Sequence, residues 1–332
     1  MSDAQNNAAG TKYRLLSWGF LRSYIVTMRP YLLFISGAAG MVGVAFIDSP
    51  PAWRVVLAFV PLFLSYGLGQ ALTDCFQTDT DALSSPYRPL VRGVVSKRQV
   101  FWVSLAGLSL VVLALAYLNP WILLPGFLAV VGLLTYTYFK RRWWGGPPWN
   151  SWIVALLPVM GRLVDREYSL AELVRFGDAR TPAFCLSIIA VFAGYANFVV
   201  MGYFKDISAD RETGYRTFPV VFGWKANAVY GDVTALVVAA LSGWVVALVG
   251  GGLSAWVVFA AAAALQLYAQ VSVHRTWDES AVGGPIAHGV RALVLFCLAM
   301  VLALKPSWIG FAGIFYIAFE LVLRLRPERG QV

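Results

Sequence analysis

Residues 99–139 read QVFWVSLAGLSLVVLALAYLNPWILLPGFLAVVGLLTYTYF, forty-one consecutive positions without one Asp, Glu, Lys or Arg. About 20 apolar residues in helical form cross the hydrocarbon core of a bilayer. The stretch is therefore long enough for two crossings, and Asn119-Pro120 falls near its middle, where a tight turn is needed. A soluble amphipathic helix would place a polar residue on every turn of its outer face, and this stretch does not. It reads as a membrane hairpin.

The same signature continues in both directions. Apolar segments are expected at 31–48, 54–75, 99–118, 120–139, 148–164, 182–204, 226–249, 252–273, 285–304 and 307–323. Gly250-Gly251 and Lys305-Pro306 mark two further short turns. Composition agrees: 59% of residues are apolar, 13% are charged, and mean hydropathy is +0.68. The expected fold is all-α, a polytopic membrane bundle of nine or ten helices. Three regions are expected: a polar N-terminus with an interfacial amphipathic helix (1–28), one membrane domain (29–325) and a short cytoplasmic tail (326–332). The first residues lack the charged start and cleavable apolar core of a signal peptide.

Sidedness follows from the basic residues. With the N-terminus in the cytoplasm, 19 of 26 Lys and Arg lie on that side and six on the other, with Arg291 inside a helix. A bacterial-type inner membrane is the expected location. The net charge of +9 is then a property of cytoplasmic loops, and no nucleic-acid partner is implied. Three scattered cysteines and two histidines offer no spacing for haem, zinc or a disulfide framework.

Acidic residues are few, which makes their grouping informative. Asp74, Asp79 and Asp81 close the second segment; Asp206, Asp210 and Glu212 follow the sixth, on the same face. Bases accompany both groups: Arg88, Arg92, Lys97 and Arg98 after the first, Arg211, Arg216 and Lys225 after the second. Lys140, Arg141 and Arg142 supply a third basic loop on that face. Asp206 and Asp210, four apart, share one side of a helix, where their charges repel unless a cation intervenes. Mg2+ takes one or two carboxylates together with phosphate oxygens. Two such groups across a cavity would hold a diphosphate through Mg2+, and the bases would neutralise the remaining charge. That arrangement suits ionisation of an allylic diphosphate, in which negative charge grows on the leaving group.

These residues resemble the UbiA-type intramembrane prenyltransferases. Thr73-Asp74-Cys75-Phe76-Gln77-Thr78-Asp79-Thr80-Asp81, with Tyr87-Arg88-Pro89 and Gly93 behind it, is similar to that family's first Asp-rich motif. Asp206-Ile207-Ser208-Ala209-Asp210-Arg211, followed by Gly214, Thr217, Pro219 and Gly223, is similar to the second. Tyr136 and Lys140 match its Y-x-x-x-K, and Met28-Arg29-Pro30 its usual opening before the first helix. The resemblance implies a ring of helices, usually nine, with a cavity that opens laterally to lipid. It implies Asp74 and Asp81 as ligands of one Mg2+ and Asp206 and Asp210 of another, these four with Lys140 being catalytic. Arg88, Lys140, Lys205 and Arg211 would bind the diphosphate, with Tyr136 beside it. Thr73, Gln77 and Tyr203 depart from the pattern; Gln77 still offers a neutral oxygen to metal, and Asp79 would supply a compensating charge.

The function so implied is Mg2+-dependent transfer of a prenyl group from a prenyl diphosphate to a hydrophobic or aromatic acceptor in the membrane, through an allylic carbocation. Two alternatives share parts of the evidence. A terpene cyclase would use the same ionisation without an acceptor. A transporter or lipid-binding protein would show inverted repeats and polar sites at mid-membrane, whereas these acids gather at one surface.

Overall fold

The computed structural model describes residues 12–175 and 180–326; the polar segment 1–11 and the tail beyond Arg326 lie outside them. Thirteen α-helices and no strand occur among the described residues. They are α1 Trp18–Met28, α2 Leu33–Ala45, α3 Ala52–Asp74, α4 Thr78–Ser84, α5 Lys97–Leu118, α6 Leu123–Lys140 and α7 Gly146–Leu163. After them come α8 Thr181–Gly202, α9 Ile207–Glu212, α10 Phe218–Leu248, α11 Leu253–Arg275, α12 Gly283–Leu304 and α13 Ile309–Arg324.

Every expected apolar segment is a helix, and eight are long and apolar enough to cross a membrane on their own. The first is shorter than expected and joins α1 across a 47° bend, so that the pair forms a possible ninth span. The bend sits at Arg29, whose backbone is left-handed (φ 51°). Pro30 behind it disfavours the helical conformation at residue 29, which forces the break. The fifth segment, α7, forms a helix of 18 residues but falls outside that set of eight. Its start, Gly146-Pro147-Pro148-Trp149-Asn150, dilutes the apolar run. The seventh begins earlier than expected, at Phe218, because a short helical piece is joined to the main rod at Gly223 (φ 83°). The loop after α7 contains one 3-10 turn at Glu172–Val174 among its described residues.

Successive long helices pack into a closed ring in which α12 returns to α2. The ring is not open throughout. A Cβ built on Gly43 of α2 would lie 1.9 Å from the Pro158 carbonyl oxygen of α7, and one on Gly161 of α7 would lie 2.1 Å from the Gly40 oxygen. The two backbones therefore touch, which only small residues permit. On one side of this crossing α12 fills the bundle, with 89% of its most apolar stretch buried. On the other, α3, α5, α6, α7 and α8 enclose a cavity.

Polar pairs join the remaining helices. Asn197 of α8 donates to the Gly231 carbonyl of α10 at 2.8 Å and accepts from Gln266 of α11 at 3.0 Å. Arg291 of α12 forms a two-pronged pair with Glu320 of α13 at 2.6 and 3.0 Å. Asp232 of α10 meets His274 of α11 at 2.7 Å on an exposed face. Asp232, Arg291 and Glu320, charges inside the expected apolar segments, are thus partnered.

Candidate active site

The cavity has a charged head and an apolar body. Asp74 ends α3, Asp81 stands on α4, and Asp206 precedes α9; all three line the head together with Gln77, Arg88, Tyr136, Lys140 and Lys205. The two acidic loops expected to face one another do so, and Thr80 and Thr213 link them at 3.1 Å. Asp210 lies behind this wall, wholly buried, with its backbone N–H on the Asp206 carbonyl at 2.8 Å.

The buried carboxylates are closely attended. Arg29 grips Asp74 with one nitrogen at 3.0 and 3.1 Å from the two oxygens, and Gln70 donates to the same group at 2.6 Å. Arg88 pairs with Asp81 and reaches Asp74 at 3.9 Å. Lys140 donates to Gln77 at 2.9 Å and sits 3.9 Å from Asp210. Thr217 donates to the other Asp210 oxygen at 3.0 Å, which explains the threonine after the second acidic motif. Arg29, Arg88, Lys140 and Lys205 thus face Asp74, Asp81, Asp206 and Asp210, four charges of each sign.

Burial and these neighbours set the titrations outside the spans. Burial raises Asp81 above the usual carboxylate range, despite Arg88 beside it. Burial also works against the Asp206 charge, but Lys205, Lys140 and Arg88 prevail and hold its pKa below the ordinary value. Asp210 is pushed up to about 6, first by burial and then by Asp206, against the pull of Lys140.

A divalent cation fits this donor set. Asp210 Oδ1 is buried and accepts no hydrogen bond among the described residues, its nearest counter-charge being Lys140 at 3.9 Å, so its capacity as an acceptor is unused. Asp206 lies one helical turn away. No group of three or more His, Cys, Asp or Glu forms a closed cage among the described residues. Mg2+, which keeps waters and takes phosphate oxygens alongside one or two carboxylates, suits such an open set.

Two predicted residues stand elsewhere. Asp79, a candidate compensating ligand, does not line the cavity; it bonds Arg141 at 3.1 Å and Tyr215 at 3.1 Å. Arg211 is exposed and absent from the cavity wall. Other residues were not anticipated. Arg29 was noticed only as part of a motif, and Gln70 carries no signal except its position one turn before Asp74. Just below the charges, Tyr66 and Tyr195 share a hydroxyl hydrogen bond of 2.8 Å, and Asn150 lies 3.4 Å from the second. The Tyr203 hydroxyl occupies space that a side chain at Gly146 would take, for a Cβ there would lie 1.7 Å from it.

Residues 33–283 match the UbiA prenyltransferase family. The digeranylgeranylglyceryl phosphate synthase of Thermococcus kodakarensis is 25% identical over 230 residues, 67% of this chain and 76% of that protein. The enzyme of the same name from Thermococcus gammatolerans is 30% identical over 211 residues, 63% and 72% of the two chains. Among solved structures, a UbiA homolog from Aeropyrum pernix K1 superposes with a TM-score of 0.69 at 22% identity, covering 81% of this chain and 97% of its own. A UbiA homolog from Archaeoglobus fulgidus bound to GPP and Mg2+ gives a TM-score of 0.62 at 19% identity, covering 84% and 99%. At these identities the superpositions show a shared fold.

Proposed function

Because the chain belongs to the UbiA prenyltransferase family, we propose that it transfers a prenyl group from a prenyl diphosphate to a lipophilic or aromatic acceptor within the membrane, with Mg2+ as cofactor. The observation that carries this reading is the meeting of four acids and four bases, buried or half-buried, at and just behind the head of one apolar cavity. The charged face is proposed to be cytoplasmic, as the distribution of Lys and Arg requires.

Asp74, Asp81, Asp206 and Asp210 would hold Mg2+, which when bound offsets the charge growing on the diphosphate. Arg88, Lys140, Lys205 and Arg29 would bind the diphosphate oxygens; Arg29 and Arg88 lie on Asp74 and Asp81 and need only turn from them. The tail lies among Leu133, Val154 and Phe198, which keep water from the cation left when the C–O bond breaks. The rings of Tyr66, Tyr136 and Tyr195 flank that position and stabilise positive charge through their faces. The acceptor's electron-rich atom forms the new bond, and its proton passes to released diphosphate or a nearby carboxylate. Relatives named digeranylgeranylglyceryl phosphate synthase make a glycerophosphate lipid the acceptor to try first.

Diphosphate release from a prenyl diphosphate by the purified chain, with Mg2+ and with or without acceptor, tests the reading. Release that needs an acceptor supports transfer. A cyclic hydrocarbon or alcohol from donor alone would favour the cyclase, and no release in any mixture would leave the transporter or lipid-binding alternative.

A further inference from the structure

The second acidic loop opens a helix that its own first residue does not cap. Asp206 is the N-cap of α9, where an Asp side chain ordinarily accepts from the backbone N–H two or three residues on. Ser17, Ser96, Asn119 and Asp278 all do this for the helical turns they open. Asp206 makes no such bond, and it lines the cavity. Thr217, which opens α10, is the other exception among the described Ser, Thr, Asn and Asp N-caps, and its hydroxyl is engaged on Asp210. Both side chains serve the site instead.

The N–H of Ser208, one of those that Asp206 would take, has a substitute partner 71 positions away. Glu279, in the connection between α11 and α12, accepts it with both oxygens at 3.2 and 3.1 Å and accepts the Ser208 hydroxyl at 2.6 Å. Glu279 is held there from two sides. Asp278 accepts from the N–H and the hydroxyl of Ser280 at 2.8 Å each, which fixes the 3-10 turn Glu279–Ala281. Trp277 stacks on Trp224 of α10 with 6.2 Å between ring centres, and Trp224 packs at 4.5 Å against Phe204, two positions before Asp206. We propose that Glu279 is a positioning residue: by capping α9 from outside, it leaves the Asp206 carboxylate free to face the cavity. The proposal rests on the reading above in one respect, that this carboxylate is a ligand of the divalent cation. Without Glu279 the Ser208 N–H lacks an acceptor, and Asp206 turns back onto it, away from the cavity.

The test measures Mn2+ affinity by EPR, Tm in detergent and turnover of a prenyl diphosphate on the purified full-length chain. Glu279→Ala should weaken Mn2+ binding about fivefold, the factor by which a typical cap bond would draw Asp206 away. Glu279→Gln removes the same charge but keeps an oxygen for the Ser208 N–H, so its affinity should stay within about twofold of wild type. Should Glu279→Ala not fold, Glu279→Asp, with a shorter stem, carries the test and should also lose affinity. Unchanged affinity in the Ala and Asp variants, even with a lower Tm, would make Glu279 a structural tie and overturn the proposal. An equal loss in the Gln and Ala variants would mark a plain charge effect and overturn it too. Loss of Mn2+ affinity in the Ala but not the Gln variant, in a chain that turns over no diphosphate, would sink the transferase reading and leave the positioning role standing. A wild type that binds no Mn2+ would sink both.

Discussion

At the residue scale, the site depends on carboxylates whose charge is in contest. The pKa of Asp210 stands at about 6, above the ordinary carboxylate value, because it is buried beside Asp206. Below that pH it is protonated and neutral, and above it ionised and able to bind a cation. Affinity for Mn2+, followed by its EPR signal in the purified protein, should therefore fall as pH drops from 7 to 5. An affinity flat across that range would remove Asp210 from the metal site. Arg29 supplies a second test. Its guanidinium meets both oxygens of Asp74 from one nitrogen, whereas a lysine at 29 offers a point charge of shorter reach. Arg29→Lys should raise KM for the diphosphate about tenfold, the loss of one charge-assisted hydrogen bond. An unchanged KM would leave Arg29 with a purely structural part at the bend.

The same residues show what could be read without a structure. Asp74, Asp81, Asp206 and Asp210 were legible because acids are rare in this chain and these fall at segment ends. Arg29 was not, since an arginine before a first membrane helix is indistinguishable from an ordinary cytoplasmic-side base. Asp79 reads as a candidate ligand because it lies between Asp74 and Asp81 in sequence. On α4, however, residues two apart are separated by about 200° around the axis, so a cavity-facing Asp81 turns Asp79 outward. The hydroxyl of Tyr215, which receives it, lies 136 positions away in the chain and left no local mark.

At the element scale, two contacts decide whether the helices stay in place. Gly43→Ala would push a methyl into the α7 backbone, where a Cβ has only 1.9 Å to the Pro158 oxygen. Backbone cannot rotate aside, so a loss of about 3 kcal/mol is expected, the upper end for overpacking. It should appear as a lower Tm in detergent; an unchanged Tm would mean that the crossing is looser than described. The Arg291–Glu320 pair joins α13 to α12 within the apolar layer. Breaking one partner leaves a charge in low-dielectric surroundings, while replacing both removes the problem. Glu320→Gln should therefore destabilise more than Arg291→Met with Glu320→Met together, measured by the same melts. Equal effects would show that the pair is solvated. Both interactions were only partly legible: Arg291 stood out inside an apolar run, but its partner arises from a helix–helix register that no periodicity reports.

At the scale of the whole molecule, ten expected apolar segments became ten helices, and hydropathy located them within a few residues. What hydropathy does not encode is how such helices are arranged, because lipid-facing and bundle-facing sides are equally apolar. Hence α12, the most enclosed of the eight long spans, reads no differently from α5, which has 28% of its most apolar stretch buried. The charge balance at the cavity head makes a prediction for the intact protein. Arg29, Arg88, Lys140 and Lys205 already offset the four acids, so folding should not need a metal. EDTA should shift Tm by less than about 2 °C while abolishing turnover; for a chain this long, about 1 kcal/mol corresponds to about 2–4 °C. A large shift would make the metal part of the fold.

The contact between α2 and α7 carries a consequence for how this chain can diversify. Two backbones already in touch leave no slack, so that seam is closed to redesign by mutation. A different occupant of the cavity has to be accommodated by side chains of α5, α6 and α7 along its apolar body, while the carboxylates at its head stay where they are. On the proposed function, selection for new substrates and preservation of the ionisation step would therefore act on separate parts of one chamber.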